Sequence, residues 1–162
     1  MMLRSVFTVL VMFAAIAAYP QDKSTRFDKA LFYKAMEKGT LEDIENQLEL
    51  TQKSGLTDKS AFEGGLLMKK AGKVSKPGEK LRLFKSGRNK LEPLIKKFPE
   101  NVEYRFIRLM IQENAPDILG YNKDFKTDKE VIKKFFNTLS PVVKEAVENY
   151  SRISKILTPA DL

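Results

Sequence analysis

The chain has 162 residues and a formal net charge of +8, and it contains neither cysteine nor histidine. That composition excludes disulfides, thiol nucleophiles, imidazole bases and the common zinc ligand sets, leaving carboxylates, Lys, Tyr, Ser or Arg for any chemistry. The length suits one domain with a genuine core, and the 43% hydrophobic content sets the chain apart from disordered sequences.

Met1-Met2-Leu3-Arg4 is short and positive, Val6 to Ala18 is almost wholly apolar, and small residues crowd Ala14 to Ala18 ahead of Gln21-Asp22-Lys23. This is the order of a secretory signal peptide. The apolar run, about thirteen residues, is short of the roughly 20 that span a bilayer. Residues 1–20 are therefore expected to be a leader and residues 21–162 a single exported domain, periplasmic or extracellular, with no transmembrane span. Losing Arg4 with the leader lowers the net charge from +8 to +7. An exported chain without cysteine fits a bacterial envelope better than a disulfide-rich secreted class.

Thr25-Arg26-Phe27-Asp28 has the form of a capping box, with Asp at the fourth position. Phe27, Leu31, Phe32 or Ala35, and Met36 give a first helix that stops at Gly39. Thr40 with Asp43 restarts the chain as a second helix, its inner face Leu41, Ile44, Leu48 and Thr51. Ser60 with Glu63 is a third box, opening a helix through Leu66, Leu67 and Met68 to Ala71-Gly72. Gly64-Gly65 inside it predicts close approach of a neighbouring helix, since each glycine otherwise costs about 1 kcal/mol relative to alanine.

Lys73 to Gly78 is a loop. In the next helix Leu81, Phe84, Leu91, Leu94, Ile95 and Phe98 mark one apolar face, with a bend expected at Pro93. Pro99 ends that helix and Asn101 caps the next, where Val102, Phe106, Ile107, Leu109, Met110 and Ile111 cover most of the circumference. A helix apolar nearly all round is a central one. Asp117 to Lys126 is an irregular connection. Thr127 and Glu130 form a further capping box for a helix through Val131, Ile132, Phe135, Phe136 and Leu139. Ser140-Pro141 opens the last helix, which runs to Leu157.

No segment alternates with period two. The sequence thus predicts an all-α fold of about seven helices arranged as stacked antiparallel hairpins, because the connections are short.

Counting back from Pro99, Gly87, Leu91 and Leu94 fall where a tetratricopeptide repeat places its second-helix packing residues. Gly64-Gly65, Leu66 and Leu67 resemble that repeat's first helix. Residues 25–55 and 127–157 resemble further, degenerate units. The stretch Tyr104 to Pro116 (YRFIRLMIQENAP) is similar to a group of small exported helical proteins of Bacteroidota. The first likeness implies a groove for a peptide or partner protein, and the second implies fold and compartment without a substrate.

Two constellations are candidate binding residues. Eleven basic side chains lie between Lys69 and Lys97 against only Glu79 and Glu92. Lys69, Lys70, Lys73, Lys85 and Arg88 represent this stretch, which is either a surface for an anionic partner such as an envelope polymer or lipid, or a solvated helix face. Nucleic acid is not an expected partner, because the interleaved Phe84 and Phe98 sit at core-periodic positions.

Arg105, Arg108 and Gln112, at i, i+3 and i+7, form a polar stripe on the most apolar helix. They are either a carboxylate clamp in a groove or internally paired structural residues. Asn122, Asp124 and Asp128 lack the glycine and terminal Glu of a calcium loop, so no metal or cofactor is expected. The leading functional expectation is a non-enzymatic interaction module, with a carboxylate-dependent envelope enzyme as the alternative.

Overall fold

A computed structural model describes residues 26–162; the expected leader and Thr25 lie outside the described residues. Among the described residues the fold is all-α. Its seven helices are α1 Lys29–Lys38, α2 Leu41–Lys53, α3 Lys59–Ala71, α4 Pro77–Lys97, α5 Val102–Gln112, α6 Phe125–Phe135 and α7 Pro141–Ser151. Single 3-10 turns occupy Asp117–Leu119, Phe136–Thr138 and Pro159–Asp161. Consecutive helices from α1 to α6 pack on one another, α5 also lies against α3, and α7 returns to pack on α1. None of these helices is long and apolar enough to cross a membrane.

The helix starts divide into those the side chains dictate and those they do not. Thr40 and Asp43 form the full capping box, with the Thr40 side chain accepting from the Asp43 N–H and Asp43 from the Thr40 N–H. Asp28 is itself the N-cap of α1, accepting from the N–H groups of Ala30 and Leu31, so the expected box on Thr25 is corrected by one turn. The other two expected boxes do not form. Asp58 and Asp124 precede α3 and α6, which places Ser60 and Thr127 inside the first turn, and Glu63 instead pairs with Lys90 of α4 at 2.8 Å. Thr40→Ala should therefore cost about 1 kcal/mol of stability. Thr127→Ala should leave stability almost unchanged, and parallel denaturant melts of the two variants check the contrast.

Glycines set the closest helix contact. A Cβ on Gly64 would lie 2.8 Å from the Gly87 carbonyl oxygen, and one on Gly87 would lie 2.5 Å from that of Gly64. The expected close approach is thus present between α3 and α4. Gly65 faces the other way, against Ile107 of α5 and Met36 of α1. α3 is in this sense a middle layer.

The buried face of α4 is Leu83, Phe84, Gly87, Leu91 and Ile95, and the helix runs uninterrupted through Pro93. Leu81 and Phe98, expected on that face, are 43% and 44% exposed. The cause is length. α4 has 21 residues against 13 in α3, about 12 Å longer in all, and because the two helices meet near their middles at Gly64 and Gly87 the excess is divided between its two ends.

α5 is the central helix as expected, with Phe106, Ile107 and Leu109 fully buried and Asn101 capping it through the Tyr104 N–H. α7 ends at Ser151, short of the expected Leu157. The Glu113 carboxylate explains the difference, since it accepts from the Tyr150 and Ser154 hydroxyls and from the Lys155 N–H. Those bonds draw the chain out of helical geometry, leaving Ile153 exposed and turning Leu157 back into the core.

Candidate binding cleft

The overhang of α4 leaves a cleft where the end of α3, the start of α4 and the end of α5 meet. Pro116 prevents α5 from continuing, and the chain turns through Asp117–Leu119 to Gly120, whose φ of +58° is the left-handed geometry that glycine adopts without a Cβ penalty. The turn delivers Tyr121 onto Phe84, ring edge to face at 5.2 Å, and its hydroxyl donates to Glu92 at 2.5 Å. Burial and then the neighbouring carboxylate raise the Tyr121 phenol above its ordinary pKa, keeping it a donor. Anchored there, the turn sets Ile118 and Leu119 along one side of the opening.

The cleft has a volume of about 510 Å³. Its floor is apolar, built from Met68, Phe84, Met110 and Ile111, and the half-exposed Leu81 and the 93%-exposed Ile118 form its lips. Three lysines line it, Lys69, Lys73 and Lys80, and no carboxylate does. The Lys69 ammonium donates to the Glu37 carbonyl at 3.1 Å. Burial lowers its pKa, and the nearby charge of Lys73 adds to that, with Glu37 opposing. Asn114 also borders the cleft, its amide donating to the Met110 carbonyl and the Tyr150 hydroxyl.

No family model, curated protein or solved structure matches this chain. Its chemistry is accordingly read from its own geometry.

The structure divides the basic stretch. Lys69 and Lys73 reach the cleft and are joined there by Lys80. Lys70 pairs with Glu45 of α2 at 2.8 Å, and the Arg88 guanidinium lies over the Tyr121 ring at 5.4 Å. Lys85 is exposed and does not line the cleft. The eleven cations are therefore not one patch.

Arg105 and Arg108 are engaged by the chain itself. Arg108 donates through Nε and Nη2 to the two oxygens of Asp128, at 2.8 and 2.7 Å, and through Nη1 to Glu92 at 2.9 Å. Arg105 Nη1 reaches the same Asp128 at 2.9 Å. Burial works against the Arg108 charge, but the hydrogen bonds and charge of Asp128, supported by Glu92 and Asp124, outweigh it and hold the guanidinium protonated. Of the two readings of this stripe, a carboxylate clamp or internal pairing, the two arginines follow the second, because their guanidinium donors are turned inward onto α6 and α4. Gln112 is buried with neither amide atom bonded, and it shares no partner with the arginines.

Three residues of this arrangement escaped the sequence reading. Lys80 was legible as charge but not as a neighbour of Lys69. Asp128 lies in the first turn of α6, but its pairing with the two arginines has no mark in the sequence as read. Its inward position did have a signal, its spacing, at i to Val131, Ile132 and Phe135, which puts it on the inner face of α6. Glu92 gave no signal beyond its charge.

Proposed function

We propose that this chain is an exported, non-enzymatic helical binding module, built of tetratricopeptide-like hairpins, that engages an anionic partner at the cleft. The supporting observation is the make-up of the lining: an apolar floor, three lysines and no carboxylate, in a chain with 21 acidic residues. Charge of one sign around a low-dielectric depression concentrates field and attracts the opposite charge. Elsewhere the carboxylates that converge, Glu92, Asp124 and Asp128, do so on Arg108, where ion pairing commits them to structure instead of acid–base work.

The test uses poly-L-glutamate, which supplies carboxylates without imposing a particular apolar shape. Binding to the purified protein, followed by anisotropy of a labelled polymer, should weaken steeply as salt is raised, because these charges act over about one Debye length, roughly 8–10 Å. Replacing Lys69, Lys73 and Lys80 together by glutamine should remove most of the binding while circular dichroism stays unchanged. Salt-insensitive binding, or a triple variant that binds like the parent, would overturn the reading.

A further inference from the structure

We infer that the occupant of the cleft is a long-chain carboxylate, its acyl chain lying on the apolar floor and its head group at the lysine rim. This rests on the anionic-partner reading and narrows it to one ligand class. Three observations on the cleft carry it.

The volume of about 510 Å³ falls within the roughly 300–1,000 Å³ typical of small-molecule sites. The lining is of two kinds only in charge: side-chain hydrocarbon and sulfur of Met68, Phe84, Met110 and Ile111, and the cations Lys69, Lys73 and Lys80. An amphiphile with one anionic end can meet both.

The third observation separates an acyl chain from a peptide. A bound peptide brings N–H and C=O groups that must find partners when they leave water. The only uncharged side chain here able to supply them is Asn114, whose amide donates within the fold. An acyl chain brings no such groups into the cleft. Its carboxylate meets the ammonium groups of Lys69, Lys73 and Lys80, Lys69 in a partly buried position where an added anion is most strongly felt.

The experiment is calorimetric titration of the purified protein with octanoate, decanoate and dodecanoate, each below its micellar concentration. Affinity should rise by about fourfold per added methylene, the increment expected for burying one CH₂. Dodecanol, which keeps the chain and drops the charge, should bind at least about tenfold more weakly, since it loses the charge-assisted hydrogen bonds to the lysines and a tenfold change corresponds to about 1.4 kcal/mol. The double variant L81S/I118S removes the apolar side chains of two exposed lips of the cleft, adds no charge and leaves the core alone. It should lose dodecanoate binding by more than tenfold and keep most of the poly-L-glutamate binding.

Poly-L-glutamate binding with no dodecanoate binding would overturn the inference and leave the broader reading standing. Dodecanol equal to dodecanoate, dodecyl phosphate bound in preference to it, or a double variant that still binds the fatty acid would each overturn the inference as well. If neither poly-L-glutamate nor dodecanoate binds, both proposals fall.

Discussion

Arg108→Ala should destabilise the fold by about 3–5 kcal/mol, the range for removing one partner of a buried ion pair. Asp128 has no exposed surface, and Arg108 supplies two of the three hydrogen bonds its carboxylate receives. Without Arg108 the carboxylate keeps only the bond from Arg105, and the cost is that of a charge held away from water with incomplete compensation. Arg108→Lys should fall between the variant and the parent, because an ammonium restores the charge but not the two-pronged geometry.

The double replacement R108M/D128L should be clearly less destabilised than the sum of its single variants, since it removes both charges and fills their volume with hydrocarbon. Urea unfolding of these five variants and the parent measures the set. An Arg108→Ala variant within 1 kcal/mol of the parent would show that the network contributes little to holding α6 on α5.

Phe106→Ala should cost a comparable amount, about 3–5 kcal/mol. Its ring is fully buried, 5.4 Å from Tyr33 of α1 and 5.7 Å from Tyr150 of α7, so truncation opens a void where three helices meet. Phe98→Ala is the natural control. That ring is nearly half exposed at the end of α4, and its loss should change stability by less than about 1 kcal/mol. Comparable losses in the two variants would refute the placement of α5 at the centre.

The centrality of α5 was legible because its apolar residues leave no solvent face, a property that needs no knowledge of neighbours. The Gly64 contact was legible for a similar reason, since two adjacent glycines in a helix make little sense without a close neighbour. The caps show the limit. Thr40 and Thr127 carry the same local pattern, yet only Thr40 caps. α6 starts a turn earlier, at Phe125, in the register that brings Asp128 to the two arginines.

That choice is made by a contact 20 residues away in the chain. The cleft was less legible still. It arises from the unequal lengths of α3 and α4 and from a reversal at Gly120, and neither quantity is written in the spacing of any one segment. The basic stretch was visible only as a total charge, and the total concealed which lysines share a surface.

The return of α7 onto α1 has a consequence for how the chain folds. Roughly 100 residues separate the two helices along the sequence. Closing a loop of that length costs about 4 kcal/mol of chain entropy, more than any hairpin between sequential neighbours. The adjacent pairs can assemble in any order, but this last joint becomes favourable only when most of the core already exists to hold its two halves in place. An open stack of hairpins would fray from its free ends. Here the two ends protect each other, so α1 and α7 should gain and lose their order together.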